Sequence, residues 1–193
     1  TFTSWSTTGT NKFTVGTGSI SFTPAVSITS STAQQIAFND AGTITFNGAF
    51  SDKYNKLTTY TGCTVNFGSS YTATTTTANW NGKGTAVFTG ASSSITPTSS
   101  ITFNDVQVAA SKSLTLNSGA GTVTIGGSIT LNSGSTFSSS KDFILSGNWV
   151  NNGGTYNANA QTYSGLVILG ADTTVVSNNN SIVFGSTIDS SGG

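Results

Sequence analysis

The chain has 193 residues, 35% of them apolar, which suits one domain or one repeat array with a continuous core. It carries six Lys and six Asp but no Arg, Glu, His or Met, so its net charge is zero, it has little with which to neutralise a phosphate backbone, and it offers no imidazole for a metal or a catalytic relay. No stretch approaches the roughly 20 apolar residues of a membrane-spanning helix, and 12 Phe, 5 Tyr and 3 Trp set the chain apart from disordered polar sequences.

In chain order, segment 1–16 alternates Phe2, Trp5, Phe13 and Val15 with polar residues. This predicts a strand that either caps its own chain or pairs with another copy. Thr1 opens without Met or a charged-then-apolar leader, which reads as a mature or excised product. From 17 to 99 the strand signals are divergent: SISF (Ser19–Phe22), TITF (Thr43–Phe46), VNF at 65–67 and AVF at 86–88. From 100 to 193 they are clearer: SITF at 100–103, SLTL (Ser113–Leu116), TVTI at 122–125, SITL at 128–131 and IVF at 182–184. Alternation with period two puts Ile, Leu, Val and Phe on one face of each strand and Ser or Thr on the other. No long window sustains helical spacing, and 23 Gly with abundant Thr and Val oppose helix, so the class is all-β.

The strands also resemble one another. SLTLNSG at 113–119 returns as SITLNSG at 128–134, while Phe46, Phe67 and Phe88 recur at one even interval and Phe103 follows at a shorter one. Such repetition predicts a single domain over 1–193, a parallel β-solenoid whose coils stack these phenyl rings above one another. A β-sandwich is the alternative, because Asn47-Gly48 and Asn81-Gly82 are hairpin-type turns.

The segment FNDVQVAASKSLTLNSGAGTVTIGGSITLNSGSTFSSSKDFILSGNWVNNGGTYNANAQT, and within it LSGNWVNNGGTYNA at 145–158, resembles the repeat regions of large bacterial cell-surface proteins, filamentous-haemagglutinin-like and autotransporter-type adhesins. The resemblance covers about a third of the chain and rests on low-complexity motifs. It implies an extracellular, β-helical stalk, adhesin or coat. The Ser, Thr, Asn and Gly texture of the sequence points to secretion as well.

The inventory for chemistry is short. Without His there is no Ser-His-Asp or Cys-His unit, and no catalytic residue or cofactor site is predicted. A polysaccharide lyase or hydrolase, the enzyme reading that ranks last, would need clustered carboxylates, whereas Asp40, Asp52, Asp105, Asp142, Asp172 and Asp189 are scattered singly. Asp40 and Asp105 both follow Phe-Asn and read as equivalent corner residues; no EF-hand or nonapeptide pattern supports calcium or any other metal there. Asp52, Lys53 and Lys56 beside Tyr54 and Tyr60 read as a solvated excursion, Cys63 as a small buried hydrophobe, Trp5, Trp80 and Trp149 as packing residues, and the sequon at Asn179 as a chance match. Two classes remain. One is a structural module that self-associates head to tail through Phe2, Trp5, Phe13 and Val15. The other is a carbohydrate- or ice-binding module using an outward ladder of Thr43/Thr45, Ser100/Thr102, Ser113/Thr115, Thr122/Thr124 and Ser128/Thr130.

Overall fold

The computed structural model describes residues 11–29, 34–38, 40–55, 57–73, 78–80, 83–141, 143–158, 161–177 and 181–190, and every regular element within them is a β-strand. All strand pairs among these residues are parallel, which excludes the hairpin-linked sandwich. The chain is a parallel β-solenoid.

Successive strands fall in turn on three faces, and every third strand returns to its own face one coil later. The first face is a nine-stranded sheet from Ser19–Phe22 to Ile188–Ser190, and the second an eight-stranded sheet from Val26–Ile28 to Val175–Ser177. The third face is divided into three strands (Asn11–Val15, Gln34–Phe38, Leu57–Thr58) and six more, from Ala78–Asn79 to Ile182–Phe184. Coil length is not constant: the return to the first face is longest from Ile20 to Ile44, shortest from Trp149 to Val167, and longer again from Val167 to Ile188.

Alternation explains the interior. In TITF (Thr43–Phe46) and TVNF (Thr64–Phe67) the apolar residues are buried and the intervening polar ones half-buried, as the pleat requires. Parallel in-register pairing then stacks like on like. Phe22, Phe46, Phe67 and Phe88 form a column on the first face with ring centroids 5.4, 5.9 and 5.3 Å apart. Phe50 and Tyr71 continue it across the core from the second face, Phe50 lying 4.1 Å from Phe46. Offset stacking at these distances adds to the burial energy of each ring.

Two repeat signals have a different spatial meaning from the one their spacing suggests. Phe103 does not extend the Phe column, because its interval from Phe88 falls short of a coil; it belongs to the third face and meets Phe88 edge-on at 6.4 Å and 84°. For the same reason the two copies of the SLTLNSG duplication are not stacked. Ser113–Leu116 pairs within the second face with Thr136–Ser139, whereas Ile129–Leu131 pairs within the first face with Trp149–Asn151. The duplicated unit is a strand and its corner rather than a coil. Asn47-Gly48 likewise turns a corner between faces one and two rather than closing a hairpin, for Gly48 lies against the backbone of Pro24 and Ala25.

The third face breaks between Leu57–Thr58 and Ala78–Asn79, and a separate excursion precedes Leu57. Asp52 occupies an inward column between Ile28 and Ala73 and is fully buried, and its carboxylate accepts the Leu57 backbone N–H at 2.9 Å. The reading of Asp52 as part of a solvated cluster is thereby corrected. Its side chain satisfies a backbone donor that the loop would otherwise leave buried and unpaired.

Candidate interaction surface

The last coil differs from those before it. Ile188 pairs with Val167 in the inward column that begins with Ile20 and Ile44, and Phe184 pairs with Tyr163 in an inward column of the third face. Both side chains hold core positions by register, yet Phe184 is 39% and Ile188 49% exposed. Phe184 rests on the Tyr163 ring at 5.2 Å, and nothing among the described residues covers its other side. Val175 and Ile182 are half-buried at the same level, and a shallow concavity lined by Leu169, Gly170, Ala171, Asp172, Thr173 and Ser190 opens beside them. Val175–Ser177, Ile182–Phe184 and Ile188–Ser190 are each the end strand of a sheet among the described residues.

Phe22, Val26 and Ile28 are buried, Phe22 to 1% exposure. Of the residues predicted to self-associate, Phe2 and Trp5 lie outside the described residues. Phe13 and Val15 fall in the strand Asn11–Val15, which pairs along its length with Gln34–Phe38, and Val15 is buried. Asn11–Val15 is thus the third-face strand of the first described coil. No local signal marks the open surface at the other end, since IVF at 182–184 reads like every other strand; only register against Tyr163 identifies Phe184 as a core residue without a cover.

The remaining candidate residues serve the fold. Trp80 and Trp149 are buried in the core, and so is Cys63, whose thiol pKa is pushed up by desolvation while its sulfur accepts the Tyr60 N–H at 3.3 Å. Asp105 accepts the Ser128 N–H at 2.7 Å from the next coil and the Asn104 side-chain amide at 2.9 Å, and Asp40 accepts the Ala41 N–H at 2.8 Å. These are corner bonds, but the two positions are not equivalent. Asp105 starts a first-face strand opposite Thr85, while Asp40 lies in the corner before Thr43. Lys141 donates its ammonium to the carbonyls of Gly119 and Gly121, and Lys53 and Lys83 lie over the rings of Tyr54 and Tyr60 at 5.3 and 5.8 Å. Lys56, Asp142 and Asn179 lie outside the described residues. Among the described residues no group of three His, Cys, Asp or Glu could hold a metal ion, and no helix is long and apolar enough to cross a membrane.

The predicted hydroxyl pairs do not make one ladder. Thr43/Thr45 and Thr130 lie on the first face, Ser113/Thr115 on the second, and Thr102 and Thr124 on the third. Local rungs do form, with Thr122 Oγ1 donating to Ser100 Oγ at 3.0 Å and a bond of 3.1 Å between Thr115 and Ser138. Columns of four small polar residues stack outward on the second face, Ser70, Ser94, Thr115 and Ser138 in one and Ser27, Ser51, Thr72 and Thr96 in the other, and on the first face, Ser19, Thr43, Thr64 and Thr85. No family model, curated protein or solved structure matches the chain.

Proposed function

We propose that this chain is a secreted structural or adhesive module that associates end to end into a filament, stalk or surface coat at or outside the cell surface. The observation that carries this reading is the inner layer of the last described coil, where Phe184 and Ile188 hold core positions by register and are exposed among the described residues. A solenoid is quasi-one-dimensional, so a further coil laid on that layer buries its apolar surface and extends the stack. Zero net charge removes the repulsion that keeps copies apart. The resemblance of 104–170 to bacterial surface-protein repeats supports the same setting. The module is read as non-enzymatic, since His, Arg and Glu are absent and the Asp52 and Asp105 carboxylates are tied to backbone donors of the fold.

Negative-stain microscopy and sedimentation of the 193-residue chain test this directly. Filaments that persist in high salt are expected, and Ile188→Lys, at a surface position, should abolish them while leaving the far-ultraviolet spectrum unchanged. A monodisperse monomer at high concentration would overturn the reading. The second-face column of Ser70, Ser94, Thr115 and Ser138 favours carbohydrate or ice binding as a second reading, tested by polysaccharide pull-down and thermal hysteresis.

A further inference from the structure

We propose that the corner Asn152-Gly153, between the first-face strand Trp149–Asn151 and the second-face strand Thr155–Ala158, is a self-modification site at which Asn152 rearranges to isoaspartate and aspartate. The proposal does not depend on end-to-end association. Nucleophile and electrophile are neighbours in one dipeptide, so the reaction is intramolecular. The Gly153 backbone nitrogen attacks Asn152 Cγ, a C–N bond forms, and the side-chain nitrogen leaves as ammonia with the proton of the Gly153 N–H. Solvent water then opens the succinimide. Cleavage at the main-chain carbonyl gives isoaspartate, with the backbone rerouted through the side chain, and cleavage at Cγ gives aspartate. Nothing is oxidised or reduced. Glycine is the least hindered residue to supply the nitrogen, because it has no Cβ.

The sequence holds three Asn-Gly pairs, at 47–48, 81–82 and 152–153, and the fold discriminates between the two that lie within the described residues. Asn152 is exposed, and Gly153 has a φ of 94° with open space around it, since a Cβ there would meet nothing closer than Ala171 Cβ at 3.6 Å. Asn47 is exposed too, but its amide donates to Ser21 Oγ at 3.1 Å. Gly48 is also clamped by backbone, for a Cβ there would lie 2.6 Å from the Ala25 nitrogen and 2.7 Å from the Pro24 carbonyl carbon. Ring closure must swing the glycine peptide toward Cγ, which the corner at 153 has room for and the corner at 48 does not. Conversion of Asn152 also reaches the preceding coil. The Asn152 N–H donates to the Leu131 carbonyl at 2.8 Å, and the Gly153 carbonyl accepts the Gly134 N–H at 3.0 Å. Isoaspartate lengthens the main chain by a methylene between these two bonds and adds a negative charge to a chain of zero net charge. The Gly134 N–H then loses its acceptor.

The test is to age the folded chain at mildly alkaline pH, with a parallel sample in urea, and to follow both sites by peptide mapping and enzymatic methylation of isoaspartate. In the folded chain, products at Asn152 are expected to accumulate several times faster than at Asn47, and the two rates should converge in urea. The converted fraction should show faster amide exchange at Gly134. Asn152→Gln, at an exposed position, should remove the product and leave the far-ultraviolet spectrum unchanged. Equal rates at Asn47 and Asn152 in the folded chain would overturn the proposal, as would an Asn152 that converts only in urea. Unchanged exchange at Gly134 after conversion would overturn the coupling to the preceding coil.

Discussion

Gly134 turns the corner between the first and second faces with φ of 69°, and its N–H donates to the Gly153 carbonyl of the next coil at 3.0 Å. A Cβ there would meet nothing closer than 3.4 Å, so the cost of a side chain is conformational rather than steric. Gly134→Ala is expected to lower stability by about 1 to 2 kcal/mol, the usual penalty of the left-handed region, as read from the urea midpoint. Ser111 holds a left-handed φ of 57° one coil earlier, without glycine's freedom. Facing is decided by alternation: Phe103 is 1% exposed, whereas Thr102 on the same strand is half-buried. Phe103→Ala should cost about 3 to 5 kcal/mol and Thr102→Ala less than about 0.5 kcal/mol. Equal losses in denaturant melts would refute the inward and outward assignment.

The passage from the second-face strand Phe50–Asp52 to the third-face strand Leu57–Thr58 depends on the turn between them. Asp52 closes this turn from inside the solenoid, and Asn55 takes a left-handed φ of 53° within it. Removing the carboxylate leaves the Leu57 N–H buried without its acceptor. Asp52→Ala is therefore expected to cost about 1 to 3 kcal/mol, the penalty of an orphaned buried donor, and to raise hydrogen exchange at Leu57 before the neighbouring strands open. A different constraint acts where Gly127, Gly147 and Gly165 stack in successive coils, since a Cβ at Gly147 would overlap the Gly127 carbonyl. Backbone on backbone cannot yield as a side chain can, so the coils approach closely only if this corner stays glycine.

The whole rod carries a dependence on alkaline pH. Tyr71, Tyr156 and Tyr163 are buried, and desolvation raises each phenol above its ordinary value, with the charge of Asp52 adding to the effect at Tyr71. A raised folded-state pKa means that the unfolded chain releases these protons first. The stability that the neutral rings confer is fully present below about pH 10. It is lost as pH rises beyond that, by up to about 1.4 kcal/mol per pH unit for each tyrosine. Urea midpoints should be flat between neutral pH and about 9 and fall steeply above about 10, with a shallower fall in Tyr163→Phe. An equally steep fall in Tyr71→Phe, Tyr156→Phe and Tyr163→Phe would remove the tyrosines as the cause.

Class and facing were decided by the sequence itself, because they depend on local chemistry. Period-two alternation in strands such as TITF and SLTL determines which side chains enter the core, and the missing His, Arg and Glu limit what those side chains can do chemically. The near-repetition of short strands also pointed to a solenoid. Coil length was not legible, since the SLTLNSG duplication measures a strand and corner, and only pairing across coils of unequal length assigns Phe103 to the third face rather than the Phe column. The burial of Asp52 was hidden for a related reason, because a carboxylate in a charged run looks solvated until the fold brings the Leu57 N–H to it. The open surface was invisible too. IVF at 182–184 has the pattern of a buried strand, and whether Phe184 and Ile188 are covered depends on what lies one coil beyond them, a property of the stack that no local pattern encodes.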